Sequence, residues 1–224
     1  EKTTRFDRYA DFSFDDPARS LDSADQQLLE GRLDEQGHLS FSKNFQPEQP
    51  PPGLLSAWFT SRVFEDGGGF SISKQEMDYY PFANYIGLRL PKGDAERGML
   101  LTDTDHTVEL ASLTAAGTDV SLPRVQVTLY KIDWKWWWDK TPESLAEYAD
   151  ASNSSKLEQT IVNTTAGKGE WKFRINYPDW GRYLVRACDL EGKHCSGKTL
   201  YVDWPGWAGR AQEQGGGAAA RLSV

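Results

Sequence analysis

Cysteine, methionine and histidine are all scarce in this chain, at two, two and three residues in 224. The histidines, His38, His106 and His194, stand far apart in polar, loop-like surroundings, so they read as solvated loop residues and offer no metal or catalytic cluster. Long apolar runs are missing as well. The longest, such as Gly98–Leu101 and Val125–Tyr130, have strand length, well short of the ~18 residues that a spanning helix needs. No lysine/arginine cluster tracks a face, and the net charge is -8 with a pI near 5. That balance excludes a nucleic-acid binder, whose phosphate contacts demand a basic footprint.

Catalytic signatures are missing too. There is no GxxxxGK[ST], no G-x-S-x-G and no H-E-x-x-H, and Gly67–Gly69 lacks the Lys-Ser/Thr that would complete a phosphate loop. The acidic pairs Asp15–Asp16, Asp103/Asp105 and Asp189/Glu191 lack the spaced D-x-[DN]-x-[DN]-G pattern of a calcium loop and read as solvated turns. No acid/base pair stands at a defensible spacing. The sequence therefore assigns no catalytic residue, no cofactor and no metal, and points away from an enzyme.

What the chain does contain is strand signal. Residue-by-residue alternation with β-branched and aromatic side chains marks 54–64, 107–113, 125–138, 156–162, 170–175, 182–187 and 198–202. Turn chemistry separates them at Asp66–Gly69, Ala116–Gly117, Gly167–Gly169 and Pro178–Asp179. Thr141-Pro-Glu-Ser-Leu-Ala-Glu-Tyr148 is the exception: Thr141 can cap, Pro142 suits the first helical position and Glu143 suits the dipole, so one or two helical turns are expected there. Leu21–Arg32 also has a helical look. Evenly spaced short strands predict β-sandwiches.

The length favours two domains of about 100 residues each. The expected division is a first sandwich over 1–95, short of strands and incomplete at its start, then a complete sandwich over 96–204. Residues 205–224 would be a linker and the first strand of a following domain, since Ala218–Val224 begins a new alternation after Gln214–Gly217. With Glu1 at the start and no signal peptide, the chain is expected to be a fragment of a longer protein.

Cys188 and Cys195 flank a short polar turn, Glu191-Gly192-Lys193, between apolar strands, which predicts a hairpin. Residues across such a turn can come within the roughly 5.5–6 Å Cα separation that a disulfide requires. A disulfide leads, ahead of free thiols or of a metal site with His194 or Asp189, and would place the protein outside the cytosol.

Four of the five positions from Trp134 to Trp138 are tryptophan. On a strand Trp134, Trp136 and Trp138 share one face and Trp137 points the other way. Such a face is either a seam buried against a neighbouring sheet or domain or a platform for sugar rings. With them, Trp180, Trp204 and Trp207 are candidates for packing or interface roles.

Several long motifs then resemble one family in order along the chain. Val127–Trp138, Tyr177-Pro-Asp-Trp-Gly-Arg-Tyr-Leu-Val-Arg-Ala-Cys-Asp189, His194-Cys-Ser-Gly197, Tyr201-Val-Asp-Trp-Pro-Gly-Trp-Ala-Gly209, Leu29–Gly37 and Arg62–Gly68 look like the macroglobulin-type domains of bacterial α2-macroglobulins. The resemblance implies an all-β fold of tandem fibronectin-III-like antiparallel sandwiches, here with one short helix in a loop. It implies a scaffold segment of a periplasmic, inner-membrane-anchored lipoprotein of cell-envelope defence, which traps proteases after they cleave a bait region. Its implied partners are the target proteases, neighbouring macroglobulin domains and a peptidoglycan synthase. Many members carry a Cys-x-x-Gln thioester. This chain departs from that: Cys188 is followed by Asp-Leu-Glu and Cys195 by Ser-Gly-Lys. The segment is expected to lie upstream of both bait and thioester. The competing reading is a carbohydrate-binding or adhesin-like sandwich that stacks sugars on Trp134, Trp136 and Trp138.

Overall fold

The computed structural model describes residues 2–21, 25–43, 47, 49–65, 67–94, 97–132 and 156–204. Within them the chain is all-β, with one 3₁₀ turn at Asp7–Tyr9 and ten strands. Strands β1 (Leu55–Phe64) and β2 (Phe70–Tyr79) form a hairpin of their own. The other eight are β3 (Asn84–Arg89), β4 (Leu100–Leu101), β5 (Asp105–Thr114), β6 (Val125–Ile132), β7 (Lys156–Val162), β8 (Lys168–Arg174), β9 (Gly181–Asp189) and β10 (Cys195–Asp203). They make a sandwich of a five-stranded sheet, β4-β10-β9-β6-β7, over a three-stranded one, β3-β5-β8. Pairing is antiparallel throughout except for the two-residue contact of β4 with β10.

Alternation builds the core. Val125, Val127 and Leu129 of β6, and Tyr183, Val185 and Ala187 of β9, point inward onto Val108 and Leu110 of β5 and Trp171 and Phe173 of β8. Trp171 stacks on Phe173 with centroids 5.1 Å apart. One pair of buried hydroxyls is fully satisfied: Ser112 and Thr164 hydrogen-bond each other at 2.6 Å, Leu122 N donates to Thr164 Oγ1, and Ser112 Oγ donates to the Val120 carbonyl.

Several expectations need correction. The division at 95/96 falls between β3 and β4, inside this sandwich. β3 pairs with β5 along its whole length, because Ile86 and Leu88 are needed to fill the core. No second sandwich is present among the described residues of the first block, which form the hairpin and a strap. Residues 25–32 form no helix: Leu29 and Leu33 stay exposed, and a short helix with no packed face is marginal in water. The helix expected at 141–148 and the strand expected at 218–224 lie outside the described residues, as do Trp134, Trp136, Trp138 and Trp207.

Residues 2–21 cross from the outer face of one sheet to the outer face of the other. Phe6 and Phe14 pack with Phe82 on Tyr85, Ala111 and Leu113, the outward residues of β3 and β5. Ala18 packs on Tyr130 and Leu184, the outward residues of β6 and β9. Between these anchors the strap meets the edges of both sheets. Ser13 exchanges two backbone hydrogen bonds with Leu88 of β3, and Gly197 N of β10 donates to the Asp15 carbonyl. The strap thus occupies edge groups that would otherwise template foreign pairing.

Candidate functional site

The strap and the hairpin of β9 and β10 meet at a buried polar junction. Asp16 has its side chain fully buried and accepts a forked pair of bonds from Arg186: Nη2 to Oδ2 at 2.7 Å and Nε to Oδ1 at 3.1 Å. Arg19 adds a second cation at 3.3 Å, and Ala18 N caps Oδ1. Arg186 lies on the outward face of β9, opposite to Val185 and Ala187, so the strap must supply its counter-charge. This corrects the reading of Asp15–Asp16 as a solvated turn. The signal was present at Arg186, a cation set among apolar strand residues.

His194 is the second correction. It is fully buried, not a solvated loop residue, and lies between the rings of Phe82 and Tyr85 at 4.9 and 4.6 Å. Its Nδ1 accepts from Ile86 N of β3 at 3.0 Å. Burial drives its pKa down to about 3, helped by the charge of Arg19 and opposed by a backbone bond to Phe14, so the ring is neutral. His106 is also buried, with Nε2 at 2.7 Å from the Leu101 carbonyl; His38 alone is exposed.

The cysteine pairing is as expected. Cys188 and Cys195 stand directly opposite each other across β9 and β10 and form a disulfide, with Cα atoms 4.1 Å apart. The turn beyond it is tight. Lys193 N returns to the Asp189 carbonyl, and Gly192 lies so close to the Asp189 carboxylate that a Cβ would meet Oδ2 at 2.4 Å. Asp189 is buried in that turn rather than solvated, and Arg19 Nη1 donates to the Lys193 carbonyl. The disulfide therefore staples the rim against which the strap lies.

Two exposed aromatic clusters stand out among the described residues. At the far end of the sandwich Trp180 and Trp204 meet at 5.3 Å with their planes tilted by 58°, and Tyr177 touches Trp204 edge-on. Both Tyr177 and Trp180 are exposed, and the Tyr183 hydroxyl holds this loop by donating to the Asp179 carbonyl. Tilted rings make a knob, not a flat platform. The second is on the β1–β2 hairpin, where Trp58 is 69% and Phe64 70% exposed, with Phe70, Ile72 and Met77 also open. Among the described residues no group of three or more His, Cys, Asp or Glu side chains is placed to hold a metal ion. No helix of the described residues is long and apolar enough to cross a membrane.

Among the described residues the chain is an eight-stranded sandwich with a cross-strand disulfide at the rim where the strap docks. The sequence model of bacterial macroglobulin domain 6 matches residues 87–204, more than half of the chain, from within β3 to just past the end of β10. The chain belongs to that family. Among solved structures it is similar to trypsin-activated alpha-2-macroglobulin from Escherichia coli, with a TM-score of 0.52 and 16% identity over 87% of this chain and 13% of that one. The native conformation of the Escherichia coli protein gives a TM-score of 0.48 at 16% identity, over 86% of this chain and 12% of that one. Salmonella alpha-2-macroglobulin reacted with methylamine gives 0.39 at 13% identity, over 68% and 10%. The chain thus spans about an eighth of the length of the first two proteins. No curated protein sequence matches it.

Proposed function

We propose that this chain is a non-catalytic scaffold segment of a bacterial protease inhibitor of the α2-macroglobulin type, which closes on a protease after that protease cleaves it. The observation that carries the reading is the family match, which runs from within β3 to just past the end of β10. One solved Escherichia coli structure of this fold is described as trypsin activated, which supports a protease as the partner of the longer protein. A strand-paired disulfide supports an oxidising compartment. We assign the longer protein to the periplasm, tethered to the inner membrane, with neighbouring macroglobulin domains and a peptidoglycan synthase as further partners. The segment's part is mechanical: a stiff sandwich holding adjoining parts in register.

The test uses a full-length protein carrying this segment, mixed with trypsin. A trap lets a small chromogenic peptide reach the enclosed enzyme and keeps a large protein substrate out. Hydrolysis of casein should fall while peptide hydrolysis persists. Equal hydrolysis of both substrates with and without the protein overturns the reading.

A further inference from the structure

We propose that residues 25–43 are a substrate segment for endopeptidases, and that a cut within them leaves the strap, residues 2–21, docked on the sandwich as a non-covalent piece of the fold. The first part rests on backbone availability. From Asp25 to Lys43 every residue except Leu28 is exposed, and none belongs to a strand or helix. Among the described residues the only backbone hydrogen bonds within it belong to a turn, where Asp34 N donates to the His38 carbonyl and Gly37 N to that of Asp34, reinforced by Asp34 Oδ1 on Gln36 N and His38 N. A protease can therefore draw the stretches on either side of the turn into its cleft without first breaking a ladder. The β1–β2 hairpin is as exposed, but each of its strands is paired over ten residues and must open before it can be cut.

Side-chain chemistry widens the range of enzymes. Arg32 and Lys43 suit a protease with an acidic specificity pocket; Leu28, Leu29, Leu33, Leu39 and Phe41 suit one with an apolar pocket. In the cut, water adds across one peptide C–N bond and leaves a carboxylate on one side and an ammonium on the other.

The second part rests on where this excursion starts and ends. The chain leaves the sandwich after the strap and returns beside it: Asp16 N donates to the Pro52 carbonyl, Leu54 N to Thr4 Oγ1, and Lys2 N to the Leu54 carbonyl. None of the strap's own anchors passes through residues 25–43. Phe14 against β3, the Ser13–Leu88 pair, the Asp15–Gly197 bond and the Asp16–Arg186 fork all survive hydrolysis. Cleavage removes only the tether that made strap docking intramolecular. This inference stands apart from the inhibitor reading, since a segment with no part in trapping would give both results.

The native chain is treated with trypsin and, separately, with chymotrypsin, and fragments are timed by mass spectrometry. The nicked product is then passed over a sizing column, with and without denaturant. Its urea midpoint is measured at low and high protein concentration. Both enzymes should cut within 25–43, and the two pieces should co-elute in native buffer and separate in denaturant. The midpoint of the nicked protein should rise with concentration while that of the intact chain does not, as expected for a two-piece fold. If 25–43 stays whole under both enzymes, the first part fails. Separation of the pieces in native buffer overturns the second.

Discussion

Replacing Phe14 by alanine tests whether the strap is part of the fold or a decoration on it. Phe14 is 1% exposed; its ring meets Phe6 edge-on at 4.8 Å and lies over Gly87 of β3, where an added Cβ would fall 2.4 Å from Phe14 Cε1. Truncating a buried phenylalanine costs about 3–5 kcal/mol, combining lost transfer energy with the cavity left behind. With a urea slope of about 2 kcal/mol per molar, the unfolding midpoint followed by circular dichroism should drop by roughly 2 M. The reciprocal change, Gly87→Ala, should also destabilise, by about 1–3 kcal/mol, because the methyl collides with the ring. In F14A/G87A the methyl enters the vacated space, so the double variant should be more stable than the sum of the two costs predicts, with a coupling of about 0.5–3 kcal/mol. A midpoint shift for F14A below roughly 0.5 M, or strict additivity in the cycle, refutes the claim that this ring helps to complete the sandwich.

The Asp16–Arg186 fork gives a second prediction. Asp16→Asn keeps the shape but leaves Arg186 without its carboxylate, and should cost about 3–5 kcal/mol in chemical denaturation, whereas an Asp16→Leu/Arg186→Met pair should lie close to the parent. A loss below about 1 kcal/mol for the single change would show that Arg186 finds water instead. The third concerns acid. Folding lowers the His194 pKa from 6.5 to about 3, so the folded chain binds fewer protons there, and its contribution is complete above pH 6.5 and is lost as pH falls toward 3. The slope is about 1.4 kcal/mol per pH unit in that window. His194→Asn offers an acceptor to Ile86 N but does not titrate, so its stability should fall less steeply between pH 6 and 4 than that of the parent; parallel curves would sink the assignment.

Period-two reading located β1, β5, β7, β8, β9 and β10 to within a few residues, and the start of β6, because each carries its own alternation and is bounded by turns; the expected continuation of β6 over 133–138 lies outside the described residues. It missed β3, where Gly87 interrupts the pattern, since that glycine is there for a ring seventy-three positions away in the chain. It missed the strap for the same reason. Phe14 and Asp16 sit in a stretch with no period, and their meaning lies in Gly87 and Arg186. The disulfide was legible because both cysteines flank one turn. His194 was not: two residues past Gly192 it looks like a loop residue, and only the closure of β3 and the Phe82 ring over the turn buries it. Local chemistry is readable from the sequence; the partners of a buried charge or ring across the fold are not.

The same strap carries a consequence for the β1–β2 hairpin. A two-stranded ribbon with both faces in water is marginally stable by itself. Here almost every residue from Trp58 to Asp78 is open, so little of the ribbon's stability can come from its own burial. The buried part is the root, Leu54 and Leu55, and that root is tied to the strap by Lys2 N on the Leu54 carbonyl, Thr4 Oγ1 on Leu54 N and the Lys2–Asp78 ion pair at 2.7 Å. The exposed ion pair adds little, so the weight falls on the two hydrogen bonds and the leucines. Whatever loosens the strap on the sandwich therefore loosens the ribbon at its base. The hairpin's apolar surface and the Asp16–Arg186 fork are coupled through the strap that runs from Lys2 to Asp16.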